Sequence, residues 1–200
     1  MTELTNVVEH YDRLIDENND PVHDPEPLKE YMDKWDGQVF IDKMHLDKSK
    51  NVFEIGVGTG RLAVKVAPLC RKFCGIDISP KTIERAKSNL SEYDNIELIC
   101  DDFMSFVCEE RFDVIYSSLT FMHFKRKGDC IKKIRCLLKN EGIFLLSIDK
   151  NQSKFIDTGV RKIDIYPDLP YETESYINVS GLKLSEKFET EFAHIYVCKK

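Results

Sequence analysis

Apolar residues recur along this chain in two rhythms. Short apolar-rich runs near residues 51 to 55, 72 to 76, 95 to 99, 112 to 116 and 142 to 148 read as strands. Apolar positions at helical spacing near 61 to 69, 80 to 90 and 128 to 139 read as amphipathic helices between them. This alternation predicts an α/β fold with a doubly wound, mainly parallel sheet. From Lys183 to Lys200 the rhythm changes, with two alternating runs around Glu189 to Glu191. That predicts an antiparallel hairpin closing one sheet edge and brings the sheet to seven strands.

Before the first strand, residues 2 to 17 put Leu4, Val7, Val8, Tyr11, Leu14 and Ile15 on one helical side, and Asn18-Asn19-Asp20-Pro21 ends that helix. A second helix is expected from Leu28 to Phe40, carrying Tyr31 and Trp35. This leader can fold over the ligand edge of the sheet as a lid, or it can cover the sheet's flank. Residues 151 to 171 have little periodicity but carry Phe155, Tyr166 and Tyr171, and they are expected to form a second piece of cover.

The strand Val52-Phe53-Glu54-Ile55 runs into Gly56-Val57-Gly58-Thr59-Gly60-Arg61, three glycines at alternate positions before a helix. Glycine can take φ > 0 and lets a ligand approach the main chain. A strand-to-helix turn of this kind sits at the carboxyl edge of a parallel sheet, where open α/β folds bind ligands. The dinucleotide fingerprint Gly-x-Gly-x-x-Gly would need its third glycine where Arg61 stands. Glu54 would add negative charge near a pyrophosphate held at the helix N-terminus, so a cationic ligand fits better.

Composition narrows the partners. The chain has 200 residues and a formal charge of -6, which opposes nucleic acid as the main partner. Lys125, Arg126, Lys127, Lys132, Lys133 and Arg135 cluster on one predicted helix, but its apolar side makes them a solvated outer face. The seven cysteines are scattered, without Cys-x-x-Cys or metal spacing, so reduced thiols and no metal are expected. No apolar run approaches the ~20 residues of a membrane span, and the first residues lack a signal-peptide pattern. A cytoplasmic protein is expected.

Glu54, Gly56, Gly58 and Gly60 match acidic-x-Gly-x-Gly-x-Gly, and here the chain resembles the class I S-adenosylmethionine-dependent methyltransferases. The resemblance spans about residues 50 to 148 and implies a Rossmann-like sheet and a cofactor seated on this turn, with Thr59 inside it. In Gly75-Ile76-Asp77-Ile78-Ser79-Pro80, Asp77 is placed to accept both ribose hydroxyls, with Ile78 beside it. Helix capping is the alternative for Asp77, although Ser79 before Pro80 already supplies an N-cap.

In Cys100-Asp101-Asp102-Phe103, the resemblance assigns Asp102 to the adenine amino group and the Phe103 main chain to the ring, with a capping Asp as the alternative. In Ser117-Ser118-Leu119-Thr120-Phe121-Met122-His123, it puts Ser117 near the cofactor's amino acid portion. His123 is a candidate base or a residue that fixes the loop. Tyr11 of the leader could reach the cofactor or the substrate. No Asn-Pro-Pro-Tyr or Asp-Pro-Pro-Tyr is present, which opposes methylation of nucleic-acid bases.

The expected organisation is one methyltransferase domain over residues 1 to 200: a leader to 46, a cofactor-binding core from 47 to 150, and a cover with closing strands from 151 to 200. The expected activity is methyl transfer from S-adenosylmethionine to a small molecule, leaving S-adenosylhomocysteine. A non-catalytic S-adenosylmethionine-binding module and a nicotinamide-dependent oxidoreductase are the alternatives.

Overall fold

The computed structural model describes residues 3 to 200. The leader comprises β1 (Glu3–Leu4), α1 (Val7–Asp16), α2 (Glu26–Met32) and α3 (Gly37–Asp42). The core follows as β2 (Asn51–Ile55), α4 (Ala63–Val66), β3 (Lys72–Asp77), α5 (Pro80–Asn89), β4 (Ile96–Cys100), β5 (Phe112–Ser118), α6 (Lys127–Leu137) and β6 (Leu138–Asp149). Then come β7 (Phe155–Asp157), β8 (Arg161–Asp164), α7 (Pro170–Ser180), β9 (Lys183–Glu189) and β10 (Ala193–Lys199).

Seven strands form the main sheet in the order β4-β3-β2-β5-β6-β10-β9. β2 pairs in parallel with β3 on one side and β5 on the other. The order in which successive strands are added therefore reverses there, and the crevice that binds ligands in such sheets opens at the carboxyl ends of these strands. β10 runs antiparallel to both β6 and β9, as the alternating tail predicts.

Alternate residues of each strand feed opposite faces. Val52 packs with Phe40, Ala63, Val66 and Ile83 on one side of the sheet. Phe53 and Ile55 pack with Ile76, Ile131, Ile134 and Ile177 on the other. Each large apolar side chain so buried contributes about 1.5–3 kcal/mol. All seven cysteines are free. Among the described residues no helix is long and apolar enough to cross a membrane.

Three expectations change. The first helix starts later, because Asn6 caps it by accepting the Glu9 N–H at 2.9 Å. The single helix expected from Leu28 to Phe40 is two, broken between Asp33 and Asp36, with Gly37 at φ +66 opening the second. The cover is more regular than its pattern suggests: β7 and β8 form a small sheet with β1, and α7 packs against α6.

Candidate functional site

The glycine turn is held against β3 by the N–H groups of Gly56 and Val57, which both donate to the Ile76 carbonyl at 2.9 and 3.0 Å. Gly56 (φ +79) and Gly58 (φ +57) both lie in the left-handed region, for different reasons. A Cβ on Gly56 would stand 2.0 Å from Thr120 Oγ1, whereas one on Gly58 would meet nothing within 4 Å. Gly56 admits the Thr120 side chain; Gly58 faces open space.

Asp77, at the end of β3, ties this turn to the next helix. Its Oδ2 accepts the Gly58 N–H and its Oδ1 the Ser79 N–H, both at 3.0 Å. Burial raises its pKa, and the backbone N–H bonds oppose that rise. Ser79 separately caps α5 by accepting the Thr82 N–H at 3.1 Å, so capping is not what occupies Asp77.

A cavity of about 800 Å³ opens at this edge. Tyr11, Glu54, Gly56, Gly58, Thr59 and Asp77 line it, and Ile78, Asp102, Phe103 and His123 continue its wall. Asp102 Oδ1 accepts the Met104 N–H at 2.8 Å, so the capping alternative is present while the side chain also faces the cavity. The Phe103 ring is in the core beside Phe53 and Phe124.

Two expected residues do not line the cavity. Gly60 (φ +103) turns its Cα toward Leu90, where a Cβ would come within 3.1 Å. Ser117 is fully buried and donates its hydroxyl to the Ile55 carbonyl at 2.9 Å, tying β5 to β2. The strand's alternation gives the cavity position to Ser118 instead.

Beneath the turn Glu54 is buried and accepts the Tyr116 hydroxyl at 2.8 Å. Burial pushes its pKa up to about 8, against the hydrogen bond from Tyr116 and the nearby Arg61. Without a ligand's cation added beside it, Glu54 is therefore mostly protonated at neutral pH. Arg61 was informative in the sequence only as the absence of a glycine. In the fold it pairs bidentately with the buried Asp36 of the leader, at 3.0 and 2.5 Å. Asp36 also accepts the Ser118 hydroxyl at 2.7 Å. The leader is thus fastened to both the glycine turn and β5 by a charge-assisted pair.

The leader helix is fastened elsewhere too. Asp12 accepts the Ser79 hydroxyl at 2.7 Å, and the Tyr11 hydroxyl lies 2.8 Å from His123 Nε2. Nδ1 of His123 is buried without a partner among the described residues. Burial, then the charges of His10 and Lys127, lower the His123 pKa to about 4, so it is neutral at physiological pH and a weak base. The unfolded chain takes up a proton near the ordinary 6.5 that the folded imidazole refuses until about 4. The contribution of His123 to stability is therefore complete above pH 6.5 and lost as pH falls toward 4. His10, shifted the same way by burial, adds to this trend. Glu54, its carboxyl pushed up to about 8, works the other way and stabilises as pH falls below 8, so the His123 share is read by difference: between about pH 7 and about pH 5, urea unfolding of His123→Gln is expected to show less loss, or more gain, of stability than the unaltered protein.

Comparison with known proteins fits this geometry. A family model for a methyltransferase domain matches residues 46–185. The chain belongs to the methyltransferase-domain family. Its sheet is the Rossmann-like fold of class I S-adenosylmethionine-dependent methyltransferases. Malonyl-[acyl-carrier protein] O-methyltransferase 2 of Ilyobacter polytropus is 28% identical over 147 residues, covering 70% of this chain and 54% of that protein. This methyltransferase-family chain thus spans about half the length of that curated relative. Carboxy-S-adenosyl-L-methionine synthase of Nautilia profundicola is 26% identical, covering 80% of this chain and 68% of that protein. The N-methyltransferase NodS from Bradyrhizobium japonicum, solved with S-adenosyl-L-homocysteine, superposes with a TM-score of 0.72 at 17% identity, covering 98% and 99% of the two chains.

Proposed function

We propose that this protein transfers the methyl group of S-adenosylmethionine to a small-molecule acceptor by in-line displacement. The observation that carries the reading is the convergence of Glu54, Gly58, Asp77 and Asp102 on one cavity at the carboxyl edge of the sheet. Asp77 would accept the ribose hydroxyls, and Asp102 with the Phe103 main chain would hold the adenine. Glu54 would face the ammonium group of the amino acid portion. The sulfonium activates its own methyl group, so the protein's task is to bring nucleophile and methyl carbon together in line.

Tyr11, Leu28, Tyr31 and Met32 of the leader line the same cavity, which supports the lid role. About 800 Å³ lies in the upper part of the ~300–1,000 Å³ range of small-molecule sites, enough for a cofactor with a small acceptor.

Calorimetric titration with S-adenosylmethionine, S-adenosylhomocysteine and NAD tests the reading. Both sulfur ligands are expected to bind and NAD is not. The ligand ammonium favours ionised Glu54, so the complex holds fewer protons than the free protein. Below a pKa of about 8, binding should therefore release about one proton, seen by repeating the titration in buffers of different ionisation heat. Affinity should rise with pH up to about 8, above which the ligand's own amino group loses its charge. Glu54→Gln should abolish the proton release. Binding of NAD alone would reject the reading.

A further inference from the structure

A second cavity, of about 500 Å³, adjoins the first, and Tyr11 and Leu119 line both. It is bounded by the end of β6, the following loop, β7 and residues 165 to 168. Its charged lining residues are Asp149, Asp157 and Asp168, with no lysine or arginine among them. Asp168 is only 2% exposed; its Oδ1 takes the Lys127 ammonium at 2.5 Å, and its Oδ2 takes no hydrogen bond from the described residues. Asp149 and Asp157 each spend Oδ1 on a turn, accepting the N–H of Asn151 at 2.7 Å and of Gly159 at 2.8 Å. Neither has a cationic partner among the described residues.

An Asp168 oxygen that takes no donor among the described residues and two acids without counter-charge, one of them the exposed Asp157, favour a cation with N–H groups. A metal ion is a poor match, because among the described residues no three His, Cys, Asp or Glu side chains come close enough to hold one. The rest of the lining, including Leu119, Met122, Ile156 and Ile165, suits a hydrocarbon skeleton.

We infer that this cavity is the acceptor chamber and that the acceptor is an apolar amine. The inference rests on the methyl-transfer reading above. The neutral amine nitrogen, its ammonium proton lost to water, would donate its lone pair to the methyl carbon of S-adenosylmethionine. The N–C bond forms as the C–S bond breaks. The bonding pair goes to sulfur, leaving neutral S-adenosylhomocysteine, and the methylated ammonium can then release its second proton to water.

The test uses the protein saturated with S-adenosylhomocysteine, titrated with phenethylamine and with 3-phenylpropionate, probes of similar shape and opposite charge. Phenethylamine is expected to bind about tenfold or more tightly than the acid, and the double variant Asp149→Asn, Asp157→Asn to lose about tenfold of that affinity. Asparagine keeps each Oδ1, so both turns survive, and S-adenosylhomocysteine affinity should stay within about twofold. Equal binding of the two probes by the unaltered protein overturns the inference whatever the variant does, as does undiminished amine binding by the folded variant. Failure of S-adenosylhomocysteine itself to bind overturns the donor reading, and the acceptor inference with it.

Discussion

Gly56→Ala is expected to lower the unfolding free energy by about 2–6 kcal/mol, combining roughly 1–3 kcal/mol for a non-glycine residue in the left-handed region with roughly 1–3 kcal/mol for overpacking. The first contribution follows from φ +79, and the second from a Cβ placed 2.0 Å from Thr120 Oγ1 and 2.7 Å from Thr120 Cβ. Against a domain stability of about 5–15 kcal/mol this is enough to leave a substantial unfolded fraction. Gly58→Ala separates the two effects. It carries the strain of φ +57 without a contact inside 4 Å, so it should destabilise less, yet it places a methyl group where the ligand must approach. Urea unfolding and S-adenosylhomocysteine titration of both variants should therefore show a stability defect dominating at Gly56 and a binding defect dominating at Gly58. Adding Thr120→Gly to Gly56→Ala should recover the overpacking portion alone. If both alanine variants are equally stable, the crowding assigned to Gly56 is wrong.

The same contrast explains what could be read from the sequence. The turn was legible because all its glycines and the strand before them are contiguous, β2, β3, β5 and β6 were legible because their residues are mostly buried and apolar, and β4, which buries none of its residues fully, was legible through Ile96, Leu98 and Ile99. β7 and β8 are only three and four residues long, so neither rhythm marks them even though Arg161 and Ile163 are buried. α7 buries only Thr173 and Ile177, too few positions to impose a helical period on a stretch rich in Tyr, Ser and Glu. The break in the leader depends on Asp36 turning inward to Arg61 and Ser118, a tertiary contact that outweighs local helix preference.

Along the cavity wall, residues placed by their own strand end are legible in the sequence, and residues placed by a distant partner are not. Asp77 and Asp102 stand where their strands stop, so position alone indicates them. Asp36 reaches Arg61 across 25 positions and Ser118 across 82, and no local pattern records such a pairing. The choice between Ser117 and Ser118 turns on one step of strand alternation, which identical side chains leave unmarked. Glu54 was legible as an acid but not as a protonated one, because the burial that raises its pKa comes from elements folded over it.

Asp77→Asn is expected to weaken S-adenosylhomocysteine binding by at least about tenfold with little loss of stability. Asp77→Ala should weaken it by about 10²–10⁴-fold, from two charge-assisted bonds to the ribose worth ~1.5–3 kcal/mol each. The asymmetry follows from what Asp77 already does in the protein. Its two oxygens receive the Gly58 and Ser79 N–H groups, and alanine strands both donors at the turn. Asparagine retains one acceptor oxygen and removes a charge whose burial already raises the carboxyl pKa, so relief of desolvation offsets part of the lost bonding. Stability and affinity should therefore fall together in the alanine variant and separate in the asparagine variant. Urea unfolding gives the first quantity, calorimetric titration the second. An asparagine variant that binds S-adenosylhomocysteine as tightly as the unaltered protein would confine Asp77 to shaping the turn and remove it from ligand recognition.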